Sequence, residues 1–383
     1  MTSGHCTLSS SGASPRDLRY AVKWHDGHII IPVTVNESEP LQMAFDSGAA
    51  VTVLFESGRT SSLKLNIERQ LTLNSSGQIA NVINSNTIGL SSVTLKNLTI
   101  LHVPLKNSPI FSNIDEAYFD GAIGYDLLSR FAIMIDYVGQ TITLSRKQPA
   151  AINLSEWQAL PIDTEANVPY LEVSFSTDNA DELKSNTSKL LVDTGAPFYL
   201  YINPELDTEV ELPVQYYETI GKSFNGPYHR YTGRLGSLNL GRYRFSNLAA
   251  HFDKADFRDL DGVGLLGNAL LKNFDLIFDY SSGILFIRSN TEFSAQSTLD
   301  KSGLDIKPHN EGAIVTSVAP NTAADAVGLK ARDIITGFDL TLISPENFDE
   351  FKTLLSSEKA KTRLCWMRNA KRKCAELMLS PRV

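Results

Sequence analysis

One short pattern occurs twice in the chain and constrains its fold more than any other feature. The copies are Asp46-Ser47-Gly48-Ala49 and Asp193-Thr194-Gly195-Ala196, and apolar residues flank both. Burying a carboxylate between apolar strands is costly unless the group is paired or hydrogen-bonded. We therefore expect the carboxylates of Asp46 and Asp193 to be buried against each other.

A second pattern follows each copy at a similar distance. Residues 121–144 align on residues 264–287 at an offset of 143, and the alignment contains seven identities. The identical pairs are Gly121/Gly264, Gly124/Gly267, Leu127/Leu270, Leu128/Leu271, Phe131/Phe274, Asp136/Asp279 and Tyr137/Tyr280. Only two copies occur, which indicates a duplicated lobe and not a solenoid. If the lobes pack about a pseudo-two-fold axis, the two aspartates meet at that axis.

The distribution of apolar runs and turn residues predicts a mainly β chain with two related lobes and a small α+β domain. Strands are expected on both sides of a His25-Asp26-Gly27 turn, at 41–45 before Asp46 and at 189–192 before Asp193. Residues 55–118 resemble a β-meander. The predicted divisions are a polar tail 1–19, a first lobe 20–147, a connector 148–167, a second lobe 168–288, a linker 289–300 and a compact domain 301–383.

Composition excludes several functional classes. The chain has 383 residues, is 42% hydrophobic and carries a net charge of -8, which argues against general nucleic-acid binding. No apolar run approaches the roughly 20 residues of a membrane span. The N-terminal residues are polar and lack the apolar core of a signal peptide. A cell-envelope, periplasmic or secreted location is expected only if a targeting segment was removed.

Cys365 and Cys374 are expected to face each other across a hairpin. Residues 362–368 and 371–379 read as strands around an Asn369-Ala370 turn, and a two-residue turn places these two cysteines opposite one another. We favour two reduced thiols that happen to be cross-strand neighbours. The alternative, a disulfide, requires an oxidising compartment.

Paired carboxylates imply acid–base chemistry. Two carboxylates a few ångströms apart cannot both ionise, so they share a proton and one pKa rises. The ionised member can take a proton from a water that attacks a peptide carbonyl, while the protonated member donates to the carbonyl oxygen. Gly48 and Gly195 allow the backbone to turn tightly beside the carboxylates. Ser47 and Thr194 supply hydroxyls for bonds across to the opposite loop.

These motifs together resemble single-chain, retropepsin-like aspartic proteases of the pepsin/retropepsin clan. The resemblance rests on both Asp-Ser/Thr-Gly-Ala segments and on Ala122-Ile123-Gly124 and Leu265-Leu266-Gly267, and it covers about residues 20–288. It implies a peptide or protein substrate, catalytic Asp46 and Asp193, no cofactor and no metal. In that family the apolar-apolar-Gly segment supports the active-site loop from beneath, so Gly124 and Gly267 are expected to be structural. A flap is expected within 70–90 or 218–232.

The residues after each glycine refine the expected chemistry. Ala49 and Ala196 stand where acid-adapted relatives often carry Ser or Thr, whose hydroxyl lowers the carboxylate pKa. Without that donor, we expect activity at mildly acidic pH. Because both lobes lie in one chain, no dimer is required to form the pair.

The C-terminal region resembles a PDZ domain. The resemblance rests on residues 314–320, on Ala323-Ala324 and on residues 328–335. Such domains bind a peptide C-terminus by strand addition and hold its carboxylate in backbone amides. Here the best match to that loop is Ser302-Gly303-Leu304-Asp305-Ile306, where Asp305 departs from the usual apolar character. The alternative to peptide capture is a purely structural or regulatory domain.

Two other patterns are not favoured, and one functional alternative stays open. Residues 262–267 read G-x-G-x-x-G but lack the preceding apolar strand of a dinucleotide site. The seven histidines show no metal-ligand spacing. The alternative to an aspartic endopeptidase is a non-catalytic peptide-binding protein that keeps the protease fold. Intact motifs in both lobes argue against it.

Overall fold

The structure is a computed structural model that describes residues 17–72, 79–104, 119–146, 153–177, 186–206, 210–223, 226–253 and 261–383. It is mainly β, as predicted, and the strands in these ranges form three sheets. Among the described residues, no helix combines the length and apolarity needed to cross a bilayer.

The first half of the chain supplies eleven strands within the described ranges. They are β1 (Leu18–Ala21), β2 (Lys23–His25), β3 (His28–Val35), β4 (Leu41–Phe45), β5 (Thr52–Phe55), β6 (Ile67–Thr72), β7 (Ile79–Leu90), β8 (Val93–Val103), β9 (Gly121–Ile123), β10 (Ala132–Asp136) and β11 (Thr141–Ser145). The short helix α1 (Tyr125–Leu128) lies between β9 and β10. The turn between β2 and β3 is the predicted Asp26-Gly27 turn, and both residues have positive φ.

The second half repeats this plan. Its strands are β12 (Gln158–Asp163), β13 (Tyr170–Ser176), β14 (Asn186–Asp193), β15 (Leu200–Ile202), β16 (Tyr216–Ser223), β17 (Gly226–Leu240), β18 (Tyr243–Phe252), β19 (Gly264–Gly267), β20 (Phe274–Asp279) and β21 (Ile284–Ser289). The short helix α2 (Asn268–Leu271) follows β19 as α1 follows β9. The repeat found in the sequence is therefore also a repeat of elements.

The C-terminal region forms a separate sheet. Its elements are β22 (Leu304–His309), β23 (Gly312–Val318), α3 (Ala323–Ala326), β24 (Ile334–Phe338), β25 (Thr341–Leu342), α4 (Phe348–Ser356), β26 (Lys361–Arg368) and β27 (Lys371–Met378). The strand order is β22-β23-β24-β26-β27, with β25 paired to β24. Phe348, Phe351 and Leu355 of α4 are buried on one face, at the spacing expected of an amphipathic helix.

In the first half, an eight-stranded sheet carries the first motif. Its order is β2-β3-β4-β9-β5-β8-β7-β6, and β3 also pairs with β7, which curls the sheet toward a barrel. Strand β4 runs parallel to β9, so that Phe45 faces Ile123 and Asp46 follows at the strand end. In the second half, β14 and β19 form the equivalent parallel pair, which ends at Asp193 and Gly267.

A thirteen-stranded sheet joins the two halves. Strands β1, β11 and β10 of the first half continue into β20, β21 and β12 of the second. At the junction, Met134 of β10 pairs with Ile277 of β20, its equivalent 143 positions later. Equivalent residues can face each other only beside the axis that relates the repeats. The pairing therefore shows a local two-fold relation between the halves, and one apolar core includes residues from both.

Four expectations from the sequence need correction. The connector predicted at 148–167 contains β12, which pairs with β21 and β13. The strand predicted at 189–192 is longer, since β14 runs from Asn186 to Asp193. The polar tail ends earlier than predicted, since β1 begins at Leu18 and pairs with β11; residues 1–16 lie outside the described residues.

The fourth correction concerns the cysteines. Cys365 and Cys374 face each other in the β26–β27 hairpin, as predicted, with Cα atoms 4.1 Å apart. They form a disulfide, which overturns the preference for two reduced thiols. Opposed cysteines on antiparallel strands already have their Cα atoms close enough for a bridge.

Candidate active site

Asp46 and Asp193 lie on two loops that meet between the lobes. Each follows a strand that is parallel to a glycine-containing strand, β4 with β9 and β14 with β19. Both aspartate residues are partly exposed, whereas Ser47 and Thr194 beside them are fully buried. A hydrogen bond joins the two carboxyl groups, so the structure brings together the two aspartates that the sequence singled out.

The two loops are bonded to each other through their hydroxyl residues. The Ser47 backbone N–H donates to Thr194 Oγ1 over 2.9 Å, and the Thr194 N–H donates to Ser47 Oγ over 3.0 Å. In turn, Ser47 Oγ donates to the Val192 carbonyl and Thr194 Oγ1 to the Phe45 carbonyl. These four bonds are reciprocal, and they fix the relative position of the aspartates that precede the hydroxyl residues.

Glycine is required beside each carboxylate. A Cβ built on Gly48 would lie 2.9 Å from Asp193 Cγ, and one built on Gly195 would overlap the carboxyl of Asp46. The N–H of each glycine donates over 2.8 Å to the aspartate two residues before it. Each loop therefore holds its own aspartate with an amide and leaves room for the opposite one.

The environment of the pair favours one retained proton. Burial raises the pKa of Asp46, against hydrogen bonds from Asp193 and from the Gly48 amide. Burial and the charge of Asp46 raise the pKa of Asp193 well above its ordinary value. The pair therefore keeps a proton at pH values where isolated carboxylates are ionised.

Gly124 and Gly267 lie directly under the two loops. A Cβ on Gly124 would overlap the Asp46 carbonyl, and one on Gly267 would overlap the Phe198 carbonyl. The residue after each glycine donates its N–H to a loop alanine, Tyr125 to the Ala49 carbonyl over 3.0 Å and Asn268 to the Ala196 carbonyl over 2.7 Å. Each glycine segment is therefore hydrogen-bonded to the loop that it contacts.

The two alanines place no hydroxyl near the carboxylates. Instead, the backbone N–H groups of Ala49 and Ala196 donate toward Asp46 and Asp193 and oppose the rise in their pKa. Ala196 is buried among apolar residues that include Leu191 and Tyr201.

A set of polar contacts around the loops was not predicted from the sequence. The Tyr137 hydroxyl donates to Asn268 Oδ1 over 2.7 Å, and the equivalent Tyr280 lies near Tyr125, the equivalent of Asn268. Burial raises the pKa of Tyr280, and the charges of Tyr125 and Asp46 add to the rise. The signal was available, since Tyr137/Tyr280 was one of the repeat identities.

Both ranges predicted to hold a flap lie on hairpins. Strands β6 and β7 cover 67–90, and β16 and β17 cover 216–240. The connecting residues 73–78 and 224–225 lie outside the described residues. That one of these hairpins covers the two aspartates stays a prediction.

The loop proposed to hold a peptide carboxylate is already hydrogen-bonded. The Gly303 N–H donates to Asp300 Oδ2 over 2.6 Å, and the Leu304 N–H donates to Ser302 Oγ over 3.1 Å. Asp305 and Ile306 are not in a loop, since both belong to β22, and the side chain of Ile306 is buried in the domain core. Two of the amides needed for carboxylate capture are therefore occupied.

No group of three or more His, Cys, Asp or Glu side chains in the described ranges is arranged to hold a metal ion. No protein-family model matches the chain. A search of curated proteins also gave no match. Function is therefore inferred from the geometry of the site.

Proposed function

We propose that this protein is an aspartic endopeptidase, in which Asp46 and Asp193 activate a water for attack on a peptide bond. One observation carries the proposal. The two carboxyl groups come from equivalent positions of a duplicated lobe, are hydrogen-bonded to each other and belong to residues that are partly open to solvent. A merely structural pair of carboxyl groups has no need of this access.

The chemistry follows from the shared proton. The ionised carboxylate takes a proton from the water, the hydroxide oxygen bonds to the carbonyl carbon, and the protonated carboxyl donates to the carbonyl oxygen. The tetrahedral intermediate then breaks its C–N bond as a proton passes to the leaving nitrogen. The two titrations belong to the pair, so neither aspartate is assigned as the acid or the base.

The fold supports this assignment. Two lobes of related topology, each with a parallel strand pair that ends at an Asp-Ser/Thr-Gly-Ala loop, are the arrangement expected of a single-chain, retropepsin-like acid protease. The reciprocal bonds of Ser47 and Thr194 favour it further, because a catalytic pair must be held in a fixed geometry.

For the third domain we propose a PDZ-like arrangement with a structural or regulatory role. The edge position of β22 in its sheet and the amphipathic helix α4 support this proposal. Capture of a C-terminal peptide is less favoured, since Asp300 and Ser302 already accept from the amides of Gly303 and Leu304.

The second candidate function is peptide binding without turnover. It shares the cleft, the loops and the substrate class with the first. The hydrogen bond between the carboxyl groups favours the enzyme, because a binding protein gains nothing from a costly pair of facing carboxyl groups.

The decisive test compares aspartate variants on a peptide library. We expect the wild-type protein to cleave peptides, with inhibition by a pepstatin-type compound, and we expect Asp46→Asn and Asp193→Asn to abolish cleavage while the fold survives. Mass spectrometry of the products gives the cleavage sites, and circular dichroism checks the fold.

The matched control is Asp163→Asn, the same substitution in a surface ion pair with Lys189. It is expected to leave the rate unchanged. Near-full cleavage by either dyad variant ends the proposal. Saturable peptide binding by a wild-type protein that cleaves nothing selects the second candidate.

A further inference from the structure

The turn between β2 and β3 connects the third domain with the loop of Asp193. Asp26 and Gly27 form this turn, and Asp26 is 0% exposed although it carries a charge. A buried carboxylate in a hairpin turn is unusual, because turn residues ordinarily lie on the surface.

The third domain holds the Asp26 side chain from two directions. Lys307 of β22 donates to Oδ2 over 2.9 Å, and Lys352 of α4 donates to Oδ1 over 2.6 Å. Asp349 of α4 accepts from the Gly27 N–H. The turn is therefore fixed between the edge strand and the long helix of the third domain.

The other side of the same turn contacts the second lobe. The Gly27 carbonyl accepts from Asn268 Nδ2 over 2.7 Å, and a Cβ on Gly27 would lie 2.9 Å from Pro197 Cβ. Pro197 directly follows the second motif. Asn268 also donates its own N–H to the Ala196 carbonyl, three residues after Asp193.

We propose that Asp26 is a positioning residue for the candidate dyad, through which the third domain holds the turn against the loop of Asp193. This inference rests on the proposed endopeptidase function. Lys307 and Lys352 fix Asp26. The next residue, Gly27, contacts Pro197 and Asn268. Without these ion pairs the turn is no longer fixed. The loop of Asp193 then loses the contacts that Gly27 makes with Pro197 and Asn268.

The charges around the turn agree with a fixed, ionised Asp26. Burial alone would raise the pKa of Asp26, but Lys307 and Lys352 outweigh it and hold the pKa below its usual range. Burial lowers the pKa of His28 to about 4, so this neighbour is neutral near pH 7. The other titratable groups near the turn are Asp349, Glu346 and His25, and burial lowers the pKa of His25 as well. Lys23 lies near Glu346.

A simpler interpretation is that the ion pairs of Asp26 with Lys307 and Lys352 only attach the third domain to the first lobe. The same interface also has an apolar part, where Ile314 of β23 packs with Ile30, Ala44 and Phe55 of the first lobe. Weakening that part loosens the attachment without touching the turn. The two readings therefore differ in their predicted effect on the Asp193 loop.

The test measures kcat, KM and amide exchange in the full chain. Asp26→Asn removes the charge at constant size, and we expect kcat to fall about 10- to 100-fold, the scale of a small misplacement of catalytic groups. We expect kcat to fall in Lys307→Met and in Lys352→Met as well. Hydrogen exchange should speed up in segments containing Ala196–Tyr199 and Asn268, whether or not the protein cleaves the peptide used.

Two controls separate positioning from attachment. Lys359→Met breaks another ion pair of the third domain, with Asp339, and is expected to leave kcat and exchange unchanged. Ile314→Ala is expected to lower the unfolding temperature while kcat stays near the wild-type value. The inference is overturned if Asp26→Asn leaves the exchange of Asn268 unaltered, or if Ile314→Ala reproduces its effect on kcat. If the wild-type protein cleaves no peptide but Asp26→Asn still shows faster exchange, the endopeptidase function is refuted and the positioning role of Asp26 is not.

Discussion

At the scale of single residues, the site is defined by what lies immediately beside each aspartate. A hydroxyl residue bonds across to the other loop, a glycine makes room for the opposite carboxyl, and an alanine leaves the carboxylate with backbone donors only. Each position has a different physical requirement. Substitutions at neighbouring positions are therefore expected to have separable effects.

The Thr194 hydroxyl should be required for both stability and rate. Thr194→Ala leaves the buried Ser47 N–H without its acceptor, and we expect a loss of about 1–3 kcal/mol in the free energy of unfolding. The rate should fall as well, because the loops are no longer fixed. Thr194→Ser keeps the hydroxyl and is the matched control. Urea denaturation and kcat measure both effects, and equal behaviour of the two variants would contradict the prediction.

Adding a donor beside Asp193 should shift the pH dependence. We expect the wild-type rate to peak at mildly acidic pH, since burial raises the pKa of both aspartates. In Ala196→Ser the new hydroxyl stabilises the ionised form and lowers a pKa of the pair. A hydrogen bond of about 1 kcal/mol moves the acidic limb of the rate profile down by about 0.5–1 pH unit.

Ala196→Cys is the control for this shift, because it has a similar size and a much weaker donor. Its acidic limb should stay close to that of the wild type. A wild-type optimum below about pH 3 would contradict the expectation of mildly acidic activity, as would a shift of the Ala196→Ser profile toward higher pH.

At the scale of elements, short strands and tight turns determine where the functional groups lie. The three residues of β9 and the four of β19 place Gly124 and Gly267 under the loops. Two-residue turns with positive φ at both positions occur at Asp26-Gly27 and at Asn369-Ala370. Only the first has glycine at its second position.

The turn at Asn369-Ala370 contains a correctable strain. Ala370 has φ 58°, a conformation that costs an L-residue with a Cβ roughly 1 kcal/mol relative to glycine. Ala370→Gly should therefore stabilise the third domain by about 0.5–1 kcal/mol. Asn369→Ala, which puts a second alanine in the same conformation, should destabilise it. Urea midpoints of the oxidised protein test both, and a lower midpoint for Ala370→Gly would refute the reasoning.

Local patterns predicted most elements but not those defined by distant partners. Strand β4 has the predicted limits, and β26 and β27 lie within one residue of theirs, because turn residues bound these segments. Strand β12 contains Pro161 and looked like a connector, since its partner β21 lies more than a hundred residues away. Paired motifs predicted the two aspartates. Nothing local in Asp26 or Asn268 indicates their contacts, which exist only once three parts of the chain have packed together.

At the scale of the whole molecule, one continuous sheet makes the two lobes a single unit. Strands β10 and β20 pair across the local two-fold axis, and β1 and β12 extend the sheet on either side. The third domain adds contacts to the first lobe through Asp26 and Ile314. One chain therefore supplies every group of the candidate site.

The single-chain site predicts activity that does not depend on association. The rate per mole of protein should stay constant on dilution, in contrast to an obligate dimer. An equimolar mixture of Asp46→Asn and Asp193→Asn should recover no cleavage, because neither chain has a complete pair. Recovery of cleavage in the mixture, or a loss of specific activity on dilution, would show that two chains share the site.

The contacts of Asn268 and Tyr125 have a consequence for substrate direction. They occupy equivalent positions, yet Asn268 bonds to Tyr137 and Gly27 while Tyr125 lies against Tyr280. Two identical lobes would bind a polypeptide equally well in either chain direction. In addition, Pro197 and Phe198 follow the loop of Asp193 where Ala50 and Val51 follow the loop of Asp46. The two lobes therefore differ around the aspartates, and we expect substrates to be cleaved in one orientation.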